Sequence, residues 1–240
     1  MESNKVYLGD CLELMPNHIE DKSIDMILCD LPYGTTQCKW DSVIDLDRLW
    51  NEYKRVIKDN GVIVLFAAQP FTSALVMSNP KMFKYDWTWK KNRGTGHLNA
   101  KKQPMRDKED ILVFYKKQCN YYPQGLVYTG ADNNRLSRQK GRTELYGSEK
   151  HFKPCGMSNY PKQVLEFDKI ATQKCLHPTQ KPLDLIQYLI KTYTTEGDLI
   201  LDNACGSGTT GVGAKNLNRN YILMELDPKF YDITVERLNR

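Results

Sequence analysis

Two kinds of apolar pattern take turns along this chain, and each kind predicts one type of secondary structure. Continuous apolar runs that end at polar residues predict buried strands at 6–8, 24–29, 61–67, 85–89, 110–115 and 198–202. Apolar residues at helical spacing predict helices near 12–19, 46–57, 71–78 and 183–193, the second of which is expected to stop at Asn60-Gly61. Strands that alternate with helices are typical of an α/β fold, in which a largely parallel sheet is covered on both faces by helices.

The periodicity disappears between Lys116 and about Gln173, where Gly, Asn, Tyr, Lys and Arg dominate. A long stretch of this kind inside a compact domain is usually functional or mobile. Residues 90–153 carry fifteen Lys and Arg against six Asp and Glu, a local charge of +9, whereas the whole chain carries +5. Such a run can be a plain solvated surface. Its interleaved aromatic residues favour a polyanion partner instead, because basic side chains neutralise phosphates while rings stack on bases.

Length and cysteine content narrow the class of protein further. The 240 residues suffice for one α/β core, so we assign 1–240 to a single domain with an inserted basic region at 117–173. No apolar segment approaches the ~18 residues that span a bilayer, and the first residues lack the apolar region of a signal peptide, so no membrane partner is expected. Seven cysteines without a Cys-x-x-Cys pair indicate reduced thiols and a cytoplasmic location.

The first candidate site follows the apolar run 24–29 and consists of Asp30, Leu31, Pro32 and Tyr33. Open α/β sheets bind their ligands just beyond the ends of such strands. The Asp30 carboxylate accepts hydrogen bonds, Pro32 stiffens the backbone so that neighbouring carbonyls keep a fixed aim, and Tyr33 offers a flat ring for stacking. Together these groups suit a flat molecule that carries an amino group.

The second candidate site is the loop 202–210, which lies between a predicted strand and a helical segment. Gly206 and Gly208 allow tight turning and a close backbone approach to a ligand, while amides at the following helix start can donate. Roughly twenty residues later, Glu225 stands where nucleotide-binding α/β folds place the acid that accepts from ribose hydroxyls. Gly206, Gly208 and Gly211 match the Gly-x-Gly-x-x-Gly motif of a dinucleotide dehydrogenase only if the loop is shifted, and Asp202 is then unexplained. The sequence also lacks the Gly-Lys-Ser/Thr ending of a phosphate-binding loop.

Together these motifs resemble those of the S-adenosylmethionine-dependent DNA amino-methyltransferases, which methylate the exocyclic nitrogen of adenine or cytosine. The segment 30–33 resembles the family's Asp-Pro-Pro-Tyr signature, and 202–210 resembles its Asp-Pro-Phe-x-Gly-Ser-Gly-Thr motif. The segment 177–182 is similar to a His-Pro-Thr-Gln-Lys-Pro segment that helps to hold the amino-acid end of the cofactor. Gly9-Asp10-Cys11 resembles a further segment near the cofactor adenine.

The resemblance implies a catalytic role for the segment Asp30, Leu31, Pro32 and Tyr33, with S-adenosylmethionine as the cofactor. It implies cofactor contacts at Asp10, Cys11, His177, Thr179, Lys181, Asp202, Ala204, Gly206, Gly208, Thr209 and Glu225. Within this set, Lys181 is chemically suited to the carboxylate of the cofactor. The chain departs from the family pattern at Leu31, at Asn203-Ala204 in place of Pro-Phe, and at Lys108-Glu109 in place of His-Glu.

The order of the motifs also resembles one class of this family. The catalytic motif precedes the basic region, which precedes the cofactor loop, as in the permuted beta class. The resemblance therefore implies a Rossmann-like methyltransferase fold with a circularly permuted motif order, and it places target recognition in the region 117–173. The implied partner is double-stranded DNA, and a homodimer is an assembly common among similar enzymes.

The leading functional hypothesis is site-specific methylation of adenine N6 in duplex DNA after the base is flipped out. Methylation of cytosine N4 is the alternative within the class, because relatives that act on cytosine more often carry Ser in place of Asp30. A catalytically silent nucleic-acid-binding protein and an RNA substrate are the remaining alternatives. The mechanism needs neither a metal nor a covalent intermediate. Pro154-Cys155 lies in the irregular basic region, away from a strand end, so it is interpreted as an accidental match to the nucleophile of cytosine C5 methylation.

Overall fold

The computed structural model describes residues 2–34, 43–128, 156–170, 176 and 180–240. The strands are β1 (Lys5–Leu8), β2 (Ile24–Cys29), β3 (Ile57–Ala67), β4 (Phe83–Thr95), β5 (Arg106–Phe114), β6 (Val127–Tyr128), β7 (Met157–Ser158), β8 (Val164–Glu166), β9 (Leu199–Asp202) and β10 (Asn220–Glu225). The helices are α1 (Cys11–His18), α2 (Leu46–Val56), α3 (Phe71–Ser78), α4 (Leu183–Tyr193), α5 (Thr209–Asn216) and α6 (Pro228–Asn239). All the strands and helices predicted from the apolar pattern are present.

The chain divides into two compact units, one formed by residues 1–122 with 163–240 and a smaller one formed by 123–162. The larger unit contains the main sheet and the six α-helices of the described residues. In the described part of the smaller unit, β6 and β7 pair as an antiparallel ribbon. The assignment of target recognition to 117–173 stays a prediction.

The main sheet has the strand order β1-β10-β9-β2-β3-β5-β4-β8. The first five strands in this order run parallel to one another, and β8 runs parallel to β4. Strand β5 is antiparallel to both of its neighbours, β3 and β4. The predicted largely parallel sheet is therefore confirmed, with one antiparallel hairpin on one side.

Strands β2 and β9 are neighbours in the sheet although they come from distant parts of the chain, and Met26 pairs with Ile200. From this pair the chain builds outward in opposite directions, through β3 on one side and through β10 on the other. A reversal of strand order opens a crevice beyond the carboxyl ends of the strands, where α/β proteins bind ligands. Asp30 follows β2 and Asp202 ends β9, so the fold brings both predicted motifs to this crevice.

Helices cover the sheet on both faces, and alternate strand residues point to opposite cores. On one face Ile27 and Cys29 pack in a core with residues of α1, α2 and α3. On the other face Met26 and Leu28 pack in a core with residues of α4, α5 and α6. The pleat sends successive side chains to opposite sides, which explains why β2 reads as a continuous apolar run. None of the helices described is long and apolar enough to cross a membrane.

The predicted end of the second helix is wrong. Helix α2 ends at Val56 and β3 begins at the next residue, so Asn60-Gly61 lies inside a strand. At a register shift between β2 and β3, a Cβ on Gly61 would lie 2.8 Å from the Ile57 side chain and 2.9 Å from the Asp25 carbonyl oxygen. Close approach of two backbones therefore requires this glycine, and helix termination does not.

Strand β8 lies in the stretch that lacks apolar periodicity, and the sequence did not predict it. Its backbone pairs with β4 through Thr88 and Val164, and of its three residues only Leu165 is buried. Three residues are too few for an alternating pattern to stand out, and the pairing depends on a partner far away in sequence. This short strand extends the main sheet beyond β4.

Candidate active site

A cavity of about 540 Å³ lies at the crevice beyond β2 and β9, within the usual size range of small-molecule sites. The predicted site residues that line it are Asp10, Cys11, Asp30, Leu31, Pro32, Tyr33, Lys181, Asp202, Ala204, Gly206, Thr209 and Glu225. His177 and Thr179 fall outside the described residues. The structure thus brings the two motifs together in one cavity, as the resemblance implies.

The Asp30 carboxylate is held by two side chains on the cavity wall. The Tyr33 hydroxyl donates a hydrogen bond of 2.7 Å to Oδ1 of Asp30, and the Lys181 ammonium group donates to Oδ2. The Asp30 side chain is still 22% exposed, so it is accessible from the cavity. Burial raises the pKa of Asp30 and the nearby Glu109 carboxylate adds to this, whereas Lys181 and Tyr33 oppose it.

The Tyr33 ring packs on the neighbouring ring of Phe71, with centroids 5.2 Å apart and planes 23° from parallel. Burial raises the pKa of the Tyr33 phenol well above its ordinary value, and the Asp30 charge adds to this effect. Tyr33 therefore stays protonated and acts as a hydrogen-bond donor to Asp30. Its predicted stacking on a target base stays a prediction.

Lys181 contacts protein carboxylates in this structure, although the resemblance assigned it to the carboxylate of the cofactor. Its Nζ donates to Asp30 and lies 3.3 Å from Oε2 of Glu109. Glu109 in turn accepts a hydrogen bond of 2.5 Å from Lys91. Neither Glu109 nor Lys91 was predicted from the sequence to belong to the site. The available signal was the Lys108-Glu109 pair, which stands where relatives have His-Glu.

The cofactor side of the cavity is assembled from the ends of β1 and β10 and the loop 202–210. Glu225 accepts hydrogen bonds from the backbone amides of Gly206 at 2.7 Å and Asp227 at 2.9 Å. The amide of Gly9 donates to the Glu225 carbonyl at 2.8 Å, and Asp10 caps α1 through the amide of Leu12. Glu225 thus sits where three chain segments meet, with lone pairs left for a ligand.

Asn203 explains one departure from the family pattern, in which Pro stands at this position. It is buried, and its side chain accepts a hydrogen bond of 2.6 Å from the Tyr53 hydroxyl while donating to Sγ of Cys11 at 3.4 Å. The amide therefore bridges α2 and α1 beneath the cavity. A polar bridge thus fixes the loop at the place where the family has a rigid proline.

Asp202 is buried at the floor of the same cavity. One of its oxygens accepts a hydrogen bond from the amide of Ala204 at 3.2 Å. Burial raises the pKa of Asp202 to about 6, although hydrogen bonds from Thr210 and Ala204 oppose the shift. The carboxylate is therefore ionised at neutral pH at a cost to the stability of the fold.

Gly208 does not line the cavity, although the resemblance implied a cofactor contact. It begins α5 with φ +72°, and a Cβ at this position would lie 2.6 Å from Cγ2 of Thr234. The hydroxyl of Thr234 donates to the carbonyl of Gly206 at 2.8 Å. In this structure Gly208 allows α6 to pack closely against the loop.

A comparison with known families decides what kind of protein carries this cavity. A family model described as DNA methylase, for N6 and N4 methyltransferases, matches residues 24–236. The chain belongs to this DNA methylase family. It is therefore an S-adenosylmethionine-dependent methyltransferase that acts on DNA, and the predicted family, cofactor and class of substrate are confirmed.

This methylase is also similar to individual relatives over nearly its full length. It is 27% identical over 252 residues to the Type II methyltransferase M1.MboII of Moraxella bovis, an alignment that covers 96% of this chain and 94% of that protein. The M1.HpyAVI–SAM complex has a TM-score of 0.68 at 24% identity and covers 98% of this chain and 99% of its own. The PvuII DNA methyltransferase, which is cytosine-N4-specific, has a TM-score of 0.69 at 17% identity, with coverages of 99% and 86%. These structures confirm the Rossmann-like methyltransferase fold.

Substituting Gly208 should destabilise the methylase more than substituting a glycine that has free space around its Cα. We expect Gly208→Ala to lower the free energy of unfolding by roughly 2–4 kcal/mol, because positive φ and overpacking against Thr234 both oppose a Cβ. Gly197→Ala is the matched control, since Gly197 has φ +85° and no atom within 4 Å of the added carbon. We expect this variant to lose only about 1–2 kcal/mol in free energy of unfolding. Urea unfolding measures both. Equal losses in the two variants would contradict the packing role.

Removing the Asp202 charge should stabilise the ligand-free methylase at neutral pH. The raised pKa of about 6 means that the fold binds this proton more tightly than the unfolded chain does. The resulting stability is complete below the ordinary pKa near 3.8 and is lost as the pH rises through 6. Relative to wild type, Asp202→Asn should therefore gain about 2–3 kcal/mol in unfolding free energy between pH 4 and pH 8. A difference in unfolding free energy that stays constant over this range would contradict the assignment.

Proposed function

We propose that this methylase transfers a methyl group from S-adenosylmethionine to the N6 amino group of adenine in duplex DNA. The observation that carries the proposal is the Asp30 carboxylate, which is accessible from the same cavity as the loop 202–210 and is oriented by Tyr33 and Lys181. A carboxylate at this position can accept from an exocyclic amino group. A base that is stacked in the duplex cannot place its amino group inside the cavity, so the target base is flipped out of the duplex.

The acceptor segment has the groups needed to orient an amino nitrogen. Asp30 and the Leu31 carbonyl accept the two amino hydrogens, which aims the nitrogen lone pair along the direction of transfer. Although Tyr33 and Lys181 already contact the Asp30 oxygens, an ionised carboxylate has about four acceptor positions and can accept a further bond. The Leu31 side chain is buried in the core, which anchors the backbone that carries this carbonyl. Positioning accounts for most of the catalytic effect.

The residues on the other side of the cavity suit the cofactor. S-adenosylmethionine supplies an electrophilic methyl group when it is bound. Glu225 is placed to accept from ribose hydroxyls, and the apolar side chains of Leu226 and Phe230 line the cavity beside it. The loop 204–207 contributes backbone groups at the cavity surface. This combination of acceptor carboxylates, apolar walls and a turning backbone fits a nucleoside with an amino-acid tail.

Asp30 itself favours adenine over cytosine as the target. The resemblance associates Asp at this position with adenine N6 and Ser more often with cytosine N4. The structural likeness to the cytosine-N4-specific PvuII enzyme, at 17% identity, concerns the fold alone. The silent alternative is disfavoured because the acceptor carboxylate and the cofactor loop line one continuous cavity.

Product analysis with an Asp30 series tests this function. We expect the wild-type protein, labelled S-adenosylmethionine and unmethylated duplex DNA to give labelled N6-methyladenine after digestion to nucleosides and mass spectrometry. Asp30→Asn and Asp30→Ala should lower the rate by about 10²-fold or more, because a preorganised acceptor is lost. Calorimetric titration with S-adenosylmethionine checks that both variants still bind the cofactor.

Each other product has a definite meaning. Labelled N4-methylcytosine would keep the mechanism and overturn the base. A labelled nucleoside from RNA alone would overturn the DNA substrate. Cofactor binding without transfer to DNA or RNA would support the silent nucleic-acid-binding protein.

We also propose that the inserted region 117–173 recognises the target sequence. Its described part exposes several aromatic side chains, namely Tyr121, Tyr122, Tyr128 and Tyr160, and its composition is basic. Exposed rings and basic side chains together suit the bases and phosphates of DNA. The cytoplasmic location and the homodimer stay predictions.

Replacing the smaller unit tests this assignment. Substitution of residues 123–162 by a flexible Gly-Ser linker should leave the affinity for S-adenosylmethionine within about threefold, because the cavity residues all lie in the larger unit. Methylation of a defined DNA library should fall to background. If the shortened protein methylates the same sites as wild type, sequence recognition lies elsewhere in the chain.

A further inference from the structure

Four charged side chains form a continuous cluster on the wall of the cavity. In order of contact they are Asp30, Lys181, Glu109 and Lys91. Lys181 contacts Asp30 on one side and lies 3.3 Å from Glu109 on the other, and Lys91 lies 2.5 Å from the second Glu109 oxygen. Two acids and two bases make the cluster neutral as a whole. It connects the end of β2 with the interior of β4 and β5 and with the segment before α4.

The side chains of this cluster are mostly buried, so their charges are costly unless they are paired. The side chains of Lys181, Lys91 and Glu109 are only 8%, 7% and 16% exposed. A buried charge is costly unless it is paired, and here each lysine is paired with carboxylates of the protein itself. Burial acts to lower the pKa of Lys181, but Asp30 and Glu109 outweigh it and raise that pKa above its usual value. Lys181 therefore remains an ammonium ion, which is a permanent partner for Asp30.

We propose that Lys181 is a positioning residue that holds the Asp30 carboxylate of the acceptor site ionised and oriented. Glu109 and Lys91 control how strongly Lys181 acts on Asp30. The inference rests on the proposed methyl transfer and adds to it three residues, of which two have no assigned role and Lys181 was assigned to the cofactor. The ammonium group also lies 5.0 Å from the centroid of the Phe66 ring, which helps to fix its position.

The sign of each neighbour makes the proposal specific. Within the described part of the chain, the titratable groups around Asp30 are Cys29, Tyr33, Glu109, Lys181 and Asp202, with Lys91 behind Glu109. Glu109 raises the pKa of Asp30 and Lys181 lowers it. Lys91 acts indirectly, because its charge compensates Glu109. Removal of Lys181 should therefore raise the pKa of Asp30, whereas removal of Glu109 should lower it. A merely structural role of these residues would not give shifts of opposite sign.

The pH dependence of methylation, at saturating cofactor and DNA, tests this pair of opposite shifts. The acid limb of kcat should move to higher pH by at least one unit in Lys181→Met and by less in Lys91→Met. In Glu109→Gln it should move to lower pH. At neutral pH we expect Lys181→Met to lose at least tenfold in kcat and to recover part of it in more alkaline buffer, while Lys181→Arg restores most of the wild-type profile. Acid limbs that all move the same way, or do not move, would overturn the proposal.

Cofactor binding separates this role from the one implied by the resemblance. We expect Lys181→Met to bind S-adenosylmethionine within about threefold of wild type. If Lys181 instead holds the carboxylate of the cofactor, the variant should lose at least tenfold in affinity for S-adenosylmethionine. Its affinity for 5′-methylthioadenosine, which lacks the amino-acid end, should not change. That result would overturn the positioning role.

A direct titration makes the test independent of activity. With ¹³C-carboxyl aspartate, the resonance absent from Asp30→Asn identifies Asp30, and its pKa should rise in the order Glu109→Gln, wild type, Lys181→Met. If no methyl transfer is found, the proposed function fails while this order still decides the positioning role. Should Lys181→Met not fold, Lys181→Gln keeps a polar side chain beside Asp30 and leaves the Glu109–Lys91 pair intact, and its Asp30 should titrate above that of wild type. An unchanged Asp30 pKa in these variants would contradict the inference.

Discussion

The pairing of β2 with β9 is the constraint on which the rest of this structure depends. The register joins Met26 to Ile200 and Ile27 to Leu201, and no covalent connection nearby assists it. Because the strand order reverses at this pair, the acceptor segment after β2 and the loop after β9 open into one crevice. A register shift of one residue would turn one strand over relative to the other and send its side chains to the wrong core, since side chains alternate between two cores. Apolar packing on the two faces therefore fixes the geometry of the chemical site.

Charge at this crevice is balanced locally. The acceptor carboxylate and Glu109 face two buried lysines, so the cluster needs no counter-ion from solvent. No cation of the described residues contributes to the pKa of Asp202, and burial holds that pKa near 6. The site thus combines one well-compensated carboxylate with one that strains the fold. Preorganised charges that cost stability are typical of sites where binding or catalysis must not wait for rearrangement.

The parts of the site that the sequence predicts are those formed by neighbouring residues. Asp30 and Tyr33 are three positions apart, and the loop 202–210 follows its own strand, so local patterns are enough to find them. The partner of Lys181 could not be read in this way, because Asp30 is 151 positions distant and the contact depends on the whole sheet. Gly61 and Gly208 show the same limit from another side. Each is a glycine because of a neighbour that only the folded structure brings close.

The position of β1 has a consequence for biosynthesis. Strands β1 and β2 follow one another in the chain, yet β10 and β9 lie between them in the sheet. During synthesis β2 can pair with β3 soon after both emerge, but β1 has no neighbour until β10 has been made. Pairings between such distant segments form late in folding. A nascent chain therefore carries the acceptor segment 30–33 long before Lys181 and the loop 202–210 have been made, so the parts of the site can come together only after β10 has been synthesised.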